Sequence, residues 1–244
     1  MKVMSYNVVH FTFKDILLIW RNRYKRVVSF IKKENPDILG MQEVTRKAKR
    51  YLAKHLDDYN VIGLSRHSMP FTNEYTPLLI KKKYEILSYN TYSLSHNINK
   101  LGTKVKADNF PRICVVAHIK DKNNKYLVIN THIDNSSGPN KKRLLDIYKS
   151  IIEKEKEKEE YIILMGDYNM TLLNDDLNKF SKDYLDPFKD YKYGSFVPNP
   201  TLIPLDHIFL DKRLNYKNDK IYKEINNDYF LSDHYPISCE IEKG

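Results

Sequence analysis

The chain has 244 residues, a length typical of one large domain with a substantial buried core. Hydrophobic residues make up 41% of it, which excludes a protein that is disordered by composition. The 41 basic and 31 acidic residues give a formal charge of +10, which favours phosphate polymers or anionic surfaces as partners. A lysine-rich proteome would produce the same total, since charge without clustering is weak evidence. We expect a single domain over residues 1–244.

The N-terminal half is predicted to contain two amphipathic helices among short apolar strands. In the first helix, Tyr24, Val27, Val28 and Ile31 recur at helical spacing, and Pro36 ends it. The second helix is predicted over residues 46–56. The predicted strands are residues 2–8, 37–41, 60–64, 76–81 and 86–94.

The C-terminal half continues the alternation of strands and helices, which indicates an α/β protein. Residues 112–119 and 126–130 predict a strand pair around a turn at 121–124, and apolar positions from Leu144 to Ile152 mark a helix. The alternating charges of residues 153–160 predict a solvated helix end with mutual ion pairs. Residues 95–109 predict a long functional loop. Further strands are predicted at 161–165, 205–210 and 236–241.

The cysteines and the apolar segments bear on the compartment. Cys114 and Cys239 are too few for a disulfide framework, and their apolar surroundings predict buried thiols. Residues 16–20 form an apolar stretch that is too short to cross a bilayer and does not resemble a secretory leader. We expect an intracellular, cytoplasmic monomer without stable membrane insertion.

Polar side chains stand at strand ends in six places along the chain. Because open α/β sheets bind ligands at strand ends, we expect these side chains to converge in one cleft. Each one alone has a simpler interpretation, such as a turn cap or a satisfied core histidine. The ordered set favours a catalytic cleft. Its members are Asn7, Gln42-Glu43, His132 with Asp134, Gly166-Asp167-Tyr168-Asn169, Asp206-His207 and Ser232-Asp233-His234.

These residue types suit the hydrolysis of a phosphoester. A hard divalent cation prefers oxygen ligands, which Glu43, Asn7 and an aspartate supply. Asp167 suits the orientation and deprotonation of water. A histidine and a metal suit the negative charge that develops on phosphoryl oxygens, and Asp206 is a candidate partner for the second nitrogen of that histidine.

The six motifs, in this order, resemble those of the endonuclease/exonuclease/phosphatase superfamily. The resemblance covers residues 4–236, and shorter similarities to a bacterial-type branch lie at 20–44, 111–114 and 130–134. It implies a four-layered α/β sandwich, with two mixed β-sheets packed face to face and helices outside. The motifs are Met4-Ser5-Tyr6-Asn7, Met41-Gln42-Glu43-Val44, Asn130-Thr131-His132, Gly166-Asp167-Tyr168-Asn169, Leu205-Asp206-His207-Ile208 and Ser232-Asp233-His234-Tyr235-Pro236.

The resemblance also implies a metal site. Glu43 would be the principal ligand of Mg²⁺, for which Mn²⁺ could substitute. Asn7 would lie close to the metal or to the scissile phosphate. Asp233 would approach the metal from the other side.

The remaining motif residues would carry the chemistry. Asp167 would orient or deprotonate the attacking water, and Asn169 would hold water or phosphate. His234 would contact the phosphate or act as the base, with Asp206 fixing its tautomer. Which of Asp167 and His234 takes the proton stays open. His132 would stabilise the transition state or help the leaving group. A further candidate for substrate binding is Arg112.

Three substrate classes remain open. Nucleic acid leads, because aromatic side chains near a basic groove can stack bases; Phe71, Tyr75 and Phe110 are candidates, although each is more simply a core or edge residue. A small phosphoester, such as an inositol phosphate or a nucleotide, is the second class. A membrane phospholipid such as sphingomyelin is the third, suggested only by the apolar residues 11–20.

Two further alternatives concern the region after the first strand and the activity itself. His10 is a weaker candidate for substrate contact, and His207 stands where relatives often have tyrosine. From a different class of function, the chain could be a non-catalytic binding module on the same scaffold, since fold alone never proves activity. The intact Glu43, Asp167 and His234 argue against that alternative.

Overall fold

The structure is a computed structural model that describes residues 1–9, 20–67, 74–106, 108–136, 138–158, 160–191, 194–197, 204–226 and 231–243. Over these ranges the helices are α1 (Trp20–Glu34), α2 (Arg46–His55), α3 (Gly138–Glu155) and α4 (Asp175–Ser181), with a short 3₁₀ helix at Lys223–Asn226. The strands are β1 (Lys2–Asn7), β2 (Ile38–Gln42), β3 (Val44–Thr45), β4 (Tyr59–Ile62), β5 (Glu74–Tyr75), β6 (Leu78–Lys81), β7 (Glu85–Ser93), β8 (Ile113–Lys120), β9 (Lys125–His132), β10 (Glu160–Asp167), β11 (Asp206–Leu210), β12 (Leu214–Ile221) and β13 (Ile237–Lys243).

Two mixed sheets organise the described chain. The six-stranded sheet has the order β12-β13-β1-β2-β6-β4, and the five-stranded sheet has the order β11-β10-β9-β8-β7. Within them, β1 and β2 are parallel, as are β9 and β10, and the other neighbours are antiparallel. The short strands β3 and β5 pair separately. The carboxyl ends of β1 and β2 therefore lie side by side, as do those of β9 and β10.

Three hydrophobic cores separate four layers, because alternate residues of each strand point to opposite faces. On β1, Val3 belongs to the core between the sheets, whereas Met4 packs with α1 and α2. On β10, Ile163 faces the other sheet, whereas Leu164 packs with α3 and α4. This arrangement confirms the predicted four-layered sandwich with helices outside.

A buried asparagine connects the two sheets. On β9, the Asn130 amide nitrogen donates to the backbone oxygens of Met41 (2.9 Å) and Pro77 (2.9 Å), and its oxygen accepts from Gln42 Nε2 at 2.7 Å. Gly40 makes room for it, because a Cβ atom there would lie 2.7 Å from Asn130 Oδ1. The contact holds the end of β2, and with it Glu43, against the five-stranded sheet.

Most predicted elements are confirmed to within a few residues. Five described elements were not predicted, namely the two-residue strands β3 and β5, the 3₁₀ helix at Lys223–Asn226, the helix α4 and the strand β12. The helix α4 is short; Asn174 caps it by accepting from the backbone of Asp176 and Leu177. Strand β12 is a largely polar edge strand that pairs only with β13 among the described residues. Neither has the apolar periodicity on which prediction relied.

The interpretation of residues 153–160 as a solvated helix end was wrong in part. Glu153 and Lys156 form the expected exposed ion pair at 2.6 Å. Glu160, however, is buried and begins β10, where it binds His118 Nδ1 at 2.9 Å; Glu155 contacts Nε2 of the same ring at 3.3 Å. Tertiary packing thus places both Glu155 and Glu160 beside the buried ring of His118.

His10, Phe71 and residues 11–19 of the apolar stretch lie outside the described residues. Both cysteines are buried. Among the described residues, no helix is long and apolar enough to span a membrane.

Candidate active site

The predicted site residues lie at one end of the sandwich, where strands from both sheets end. Asn7 closes β1 and Glu43 follows β2, while His132 and Asp167 close the parallel pair β9 and β10. Asp206 begins β11, which runs antiparallel to β10, so that it lies opposite Asp167 in the ladder. The structure therefore brings residues from distant parts of the chain into one cleft, as their strand-end positions predict.

The cleft has a volume of about 820 Å³. We call it the catalytic cleft, and its lining mixes acidic, basic and aromatic side chains. It is lined by Glu43, Arg66, His67, Glu74, Asn109, Phe110, Arg112, His132, Asn135, Asp167, Asn169, Phe196, Leu205, Asp233 and His234.

Asn7 links the two sheets at the base of the cleft. Its side chain is fully buried, and its amide nitrogen donates to Glu43 Oε1 and to Asp167 Oδ2, each at 3.0 Å. The side-chain oxygen Oδ1 of Asn7 accepts from the backbone N–H of Val9 at 3.0 Å, and this contact orients the side-chain amide. Glu43, the predicted metal ligand, and Asp167, the carboxylate predicted to activate water, thus both accept from the amide of Asn7.

His234 forms a buried ion pair with Asp206. Its Nδ1 lies 2.8 Å from Asp206 Oδ2, and its Nε2 lies 3.7 Å from Asp167 Oδ2. Burial lowers the pKa of His234, but the charges of Asp206 and Asp167 outweigh it and raise that pKa to about 10. The two carboxylates therefore favour the protonated ring, and His234 lines the catalytic cleft.

Asp167 is buried among these groups. Its Oδ1 accepts from the backbone N–H of Asn169 at 2.8 Å. Burial raises the pKa of Asp167; the His234 charge opposes this and the Asp206 carboxylate adds to it. Asp167 is consequently more basic than an ordinary aspartate.

His132 lies beside Asp167 but has the opposite electrostatic environment. Its Nε2 is 3.5 Å from Asp167 Oδ2 and 3.3 Å from the amide nitrogen of Asn169. Burial lowers the pKa of His132 well below its usual value, and the charges of Arg112 and Arg66 lower it further. The two histidines of the cleft thus have opposite environments, which favour the neutral ring at His132 and the protonated ring at His234.

Asn169 is held firmly in position. Its amide nitrogen donates to the backbone oxygen of Ile133 at 2.9 Å, and its own backbone oxygen accepts from Lys141 Nζ at 2.7 Å. The predicted Gly-Asp-x-Asn motif is thus both a turn and part of the catalytic cleft. Its Gly166 is required by close packing, because a Cβ atom there would lie 2.2 Å from the backbone oxygen of Thr131.

The crowding of carboxylates fits a divalent cation. Burial raises the pKa of Asp233, and the negative charge of Glu43 adds to the increase. Burial likewise raises the pKa of Glu74 to about 7, with Arg66 opposing and Glu43 adding. A hard divalent cation prefers carboxylate oxygens as ligands, and its charge would offset the repulsion between them. Asp167, Asp206 and His234 also place ligand atoms within 4.8 Å of one another, so these three residues form a second group that could hold a metal ion.

Arg112 is buried and bound to Asp134. Its Nε and one terminal nitrogen both contact Asp134 Oδ1, at 2.8 and 2.6 Å. The second oxygen of Asp134 has no hydrogen-bond partner within the described part of the chain. Arg112 borders the catalytic cleft as expected, and the ion pair holds it to the loop after β9.

Sequence reasoning missed Arg66 and Glu74. Arg66 donates to Glu74 Oε1 at 2.7 Å, and Glu74 Oε1 lies 3.9 Å from His132 Nδ1. Arg66 precedes residues 68–73, which are not described, and Glu74 belongs to the two-residue strand β5, so no periodic pattern marked either one. The only hint in the sequence was that Arg66 and Glu74, which have opposite charges, lie eight residues apart in a segment between two strands.

Asn7 and Asp206 do not line the catalytic cleft themselves but contact its lining residues Asp167 and His234. His207 and Tyr75 do not line it either. His207 is buried, with Nδ1 3.3 Å from Asp186 and Nε2 3.0 Å from the backbone oxygen of Met170, and it stacks on Phe209. Tyr75, a candidate for base stacking, has Lys49 Nζ 4.8 Å from its ring centroid. Of the three candidate aromatics, Phe110 is the one that the structure describes in the catalytic cleft.

Comparison with known proteins agrees with this geometry. Residues 4–234 match the Endonuclease/Exonuclease/phosphatase family. Uncharacterized protein L388 of Acanthamoeba polyphaga mimivirus is 27% identical over 268 residues, covering 97% of this chain and 98% of the viral protein.

Among the solved structures that are similar along the whole chain are two from Bacteroides. An endonuclease/exonuclease/phosphatase from Bacteroides vulgatus superposes with a TM-score of 0.85 at 27% identity, covering 100% of this chain and 98% of that one. The mannosyl-6-phosphatase Bt3783 of Bacteroides thetaiotaomicron gives a TM-score of 0.85 at 23% identity, covering 99% of each chain. From the family match, the shared fold and the convergent motifs, this chain belongs to the endonuclease/exonuclease/phosphatase family, whose members hydrolyse phosphoesters.

Proposed function

We propose that this protein is a divalent-metal-dependent phosphodiesterase that hydrolyses nucleic acid, acting as a single domain. The observation that carries the proposal is the position of Asn7, whose amide lies 3.0 Å from both Glu43 and Asp167. That contact joins Glu43, which we assign to the metal, to Asp167, which we assign to proton transfer. The two groups come from different sheets, and a phosphoester hydrolase needs both in one cleft.

We assign the metal to Glu43, Asn7 and Asp233, with Mg²⁺ as the cation and Mn²⁺ as a substitute. The crowded carboxylates around Glu43 support this assignment, as does the general dependence of the family on divalent metals. When bound, the cation would neutralise negative charge on the phosphoryl oxygens.

The protein's own groups would supply the remaining chemistry. Asp167 would orient the attacking water and take its proton as the new P–O bond forms. His234, held by Asp206, would donate from Nε2 to a phosphoryl oxygen, because two nearby carboxylates favour the charged ring. Asn169 would hold water or phosphate. Neutral His132 would donate a hydrogen bond to the oxygen that leaves as the old P–O bond breaks.

Arg66 and Arg112 support an anionic polymer as the substrate. Both are buried at the catalytic cleft, and their carboxylate partners hold them in position. A preorganised guanidinium binds phosphate at low entropic cost. The overall charge of +10 would also speed the encounter with a polyanion.

A second candidate is a phosphatase acting on a small phosphorylated compound. The cleft volume of about 820 Å³ supports it, because small-molecule sites have volumes of roughly 300–1,000 Å³. The structural similarity to the Bacteroides mannosyl-6-phosphatase points the same way.

The two candidates separate in a hydrolysis panel with Mg²⁺ and then with chelator. The panel holds single-stranded RNA, single- and double-stranded DNA, an abasic duplex, a sugar 6-phosphate, inositol phosphates and sphingomyelin. We expect chelator-sensitive cleavage of a nucleic acid, with activity falling steeply as salt rises. Release of inorganic phosphate from monoesters alone would establish the second candidate.

Three variants test the assigned roles. Glu43→Gln should weaken metal affinity and activity together, and Asp167→Asn should abolish turnover while the protein stays folded. Glu85→Gln neutralises an exposed acid on β7 and serves as the control, which should keep wild-type activity. Near-full activity in either of the first two would refute the role assigned to that residue.

A further inference from the structure

We propose that Phe110 forms a stacking position for one nucleobase of the substrate, with Arg66 held behind its ring. The inference rests on the proposed function and deepens it, because it names a substrate group that the phosphate-binding residues cannot recognise. The group that would stack is the planar purine or pyrimidine base of the nucleotide next to the scissile phosphate.

Phe110 differs from the other exposed apolar side chains. Among the described residues, the large hydrophobic side chains with high exposure are Leu64, Leu87, Tyr89, Phe110 and Leu173. Of these five, Phe110 is the one that lines the catalytic cleft, and its exposed fraction is 50%. Its neighbours along the lining include the polar Asn109 and Asn135. An aromatic ring left half in water at a polar cleft gains by contact with a flat apolar partner.

Arg66 holds the ring from one side. The guanidinium carbon lies 4.8 Å from the centroid of Phe110, the distance of a cation–π contact. Arg66 itself is buried and is bound to Glu74 through one terminal nitrogen at 2.7 Å and through its backbone N–H at 2.9 Å. Because the cation cannot move freely, one face of Phe110 is covered by a stationary group.

The chain after Phe110 is equally well held. Two residues later, Arg112 pairs with buried Asp134, and its backbone oxygen accepts from Leu94 N at 2.8 Å. Pro111 stands between and restricts the backbone. A ring whose orientation is set before binding loses little entropy when a base stacks on it. The exposed part of the ring is therefore a preorganised platform at the rim of the catalytic cleft.

Both the charge and the geometry favour a nucleobase over a lipid. Phe110 is a single ring beside arginines, whereas membrane contact needs a larger exposed apolar patch. Every base has a π-face, so stacking on Phe110 would tolerate sequence while Arg66 and Arg112 attract the backbone. The position would thus add affinity for a base without adding sequence specificity.

The test measures oligonucleotide binding in chelator, where turnover stops, by fluorescence anisotropy. Stacking of one base is worth about 1–3 kcal/mol, so Phe110→Ala should raise Kd about 5- to 150-fold. Phe110→Leu should recover part of the affinity, and Phe110→Trp should bind at least as tightly as wild type. Tyr89→Ala, which removes an equally exposed ring from β7 outside the catalytic cleft, is the matched control and should bind like wild type.

An abasic position moved stepwise along the oligonucleotide supplies the second arm. At one position, loss of the base should weaken wild-type binding by the same factor and leave Phe110→Ala unaffected. The stacking position is refuted if Phe110→Ala binds the intact oligonucleotide as tightly as wild type. It is also refuted if Phe110→Ala binds more weakly than wild type by the same factor whichever position is abasic. In both cases the nuclease proposal stands. If the wild-type protein neither binds nor cleaves nucleic acid but hydrolyses monoesters, both proposals are refuted.

Discussion

Replacing Asn130 with alanine should lower the free energy of unfolding far more than the same substitution at an exposed asparagine. Asn130 is fully buried and makes three short hydrogen bonds across the sandwich, at 2.7 Å to Gln42 and at 2.9 Å to Met41 and Pro77. Some partners keep another contact, since Gln42 Nε2 also donates to Ser5 Oγ at 3.2 Å. We therefore count the three bonds at about 1 kcal/mol each, the net value typical of an intramolecular hydrogen bond. The expected loss is about 3 kcal/mol.

Urea unfolding monitored by circular dichroism measures this loss, in metal-free buffer to avoid stabilisation by a bound cation. For a chain of this size, 3 kcal/mol corresponds to a decrease in Tm of about 6–12 °C. Asn215→Ala, on the exposed face of β12, is the matched control and should change stability by less than about 0.5 kcal/mol. An Asn130→Ala protein within 1 kcal/mol of wild type would refute the idea that Asn130 joins the sheets.

Gly40 provides an internal check on the same contact. A Cβ atom at this position would lie 2.7 Å from both Asn130 Oδ1 and Met165 Sδ. Gly40→Ala should therefore destabilise the protein by about 1–3 kcal/mol. In the Asn130→Ala background the same substitution should cost less, because two of the three nearest obstructing atoms, Oδ1 and Cγ of Asn130, are gone. Additive losses would show that the two positions are independent.

Two predictions concern pH. Glu160 and Glu155 bind His118; burial lowers its pKa, but these two acids outweigh that effect and raise the pKa above its usual value of 6.5. This stabilisation, about 1.5–3 kcal/mol for hydrogen bonds to a charged group, is fully present below pH 6.5 and is lost as pH rises through the raised pKa. The difference in unfolding free energy between wild type and His118→Gln should therefore shrink from pH 6 to pH 9, and a constant difference would contradict the account. At the catalytic cleft, Asp206→Asn should lower kcat/KM about 10- to 100-fold and lower the pKa of His234, moving the alkaline loss of activity to lower pH. An unchanged alkaline limb would mean that Asp206 does not hold the charge on His234.

The local pattern of the sequence was sufficient to predict most strands and the polar residues that end them. Asn7, His132 and Asp167 follow apolar runs directly, and parallel strands end at the same edge of a sheet, so their convergence followed from their positions. Strand β12 and helix α4 escaped prediction because one is polar and the other is only seven residues long. Elements of that kind depend on pairing and capping more than on periodicity.

The tertiary structure alone decided which polar residues share an environment. The family resemblance implied a contact between Asp206 and His234, but nothing in the sequence indicated that the next residue, His207, packs on Phe209. Successive side chains on a strand point to opposite faces, so Asp206 shares the face of Ile208, between the sheets, and His207 shares the face of Phe209, towards the helices. The partnership of Arg66 with Glu74 and Phe110, and the charge difference between His132 and His234, likewise depend on burial and on neighbours brought from elsewhere in the chain. Short-range pattern determines where a side chain sits on its strand, and only long-range packing determines what charge and which partner it meets there.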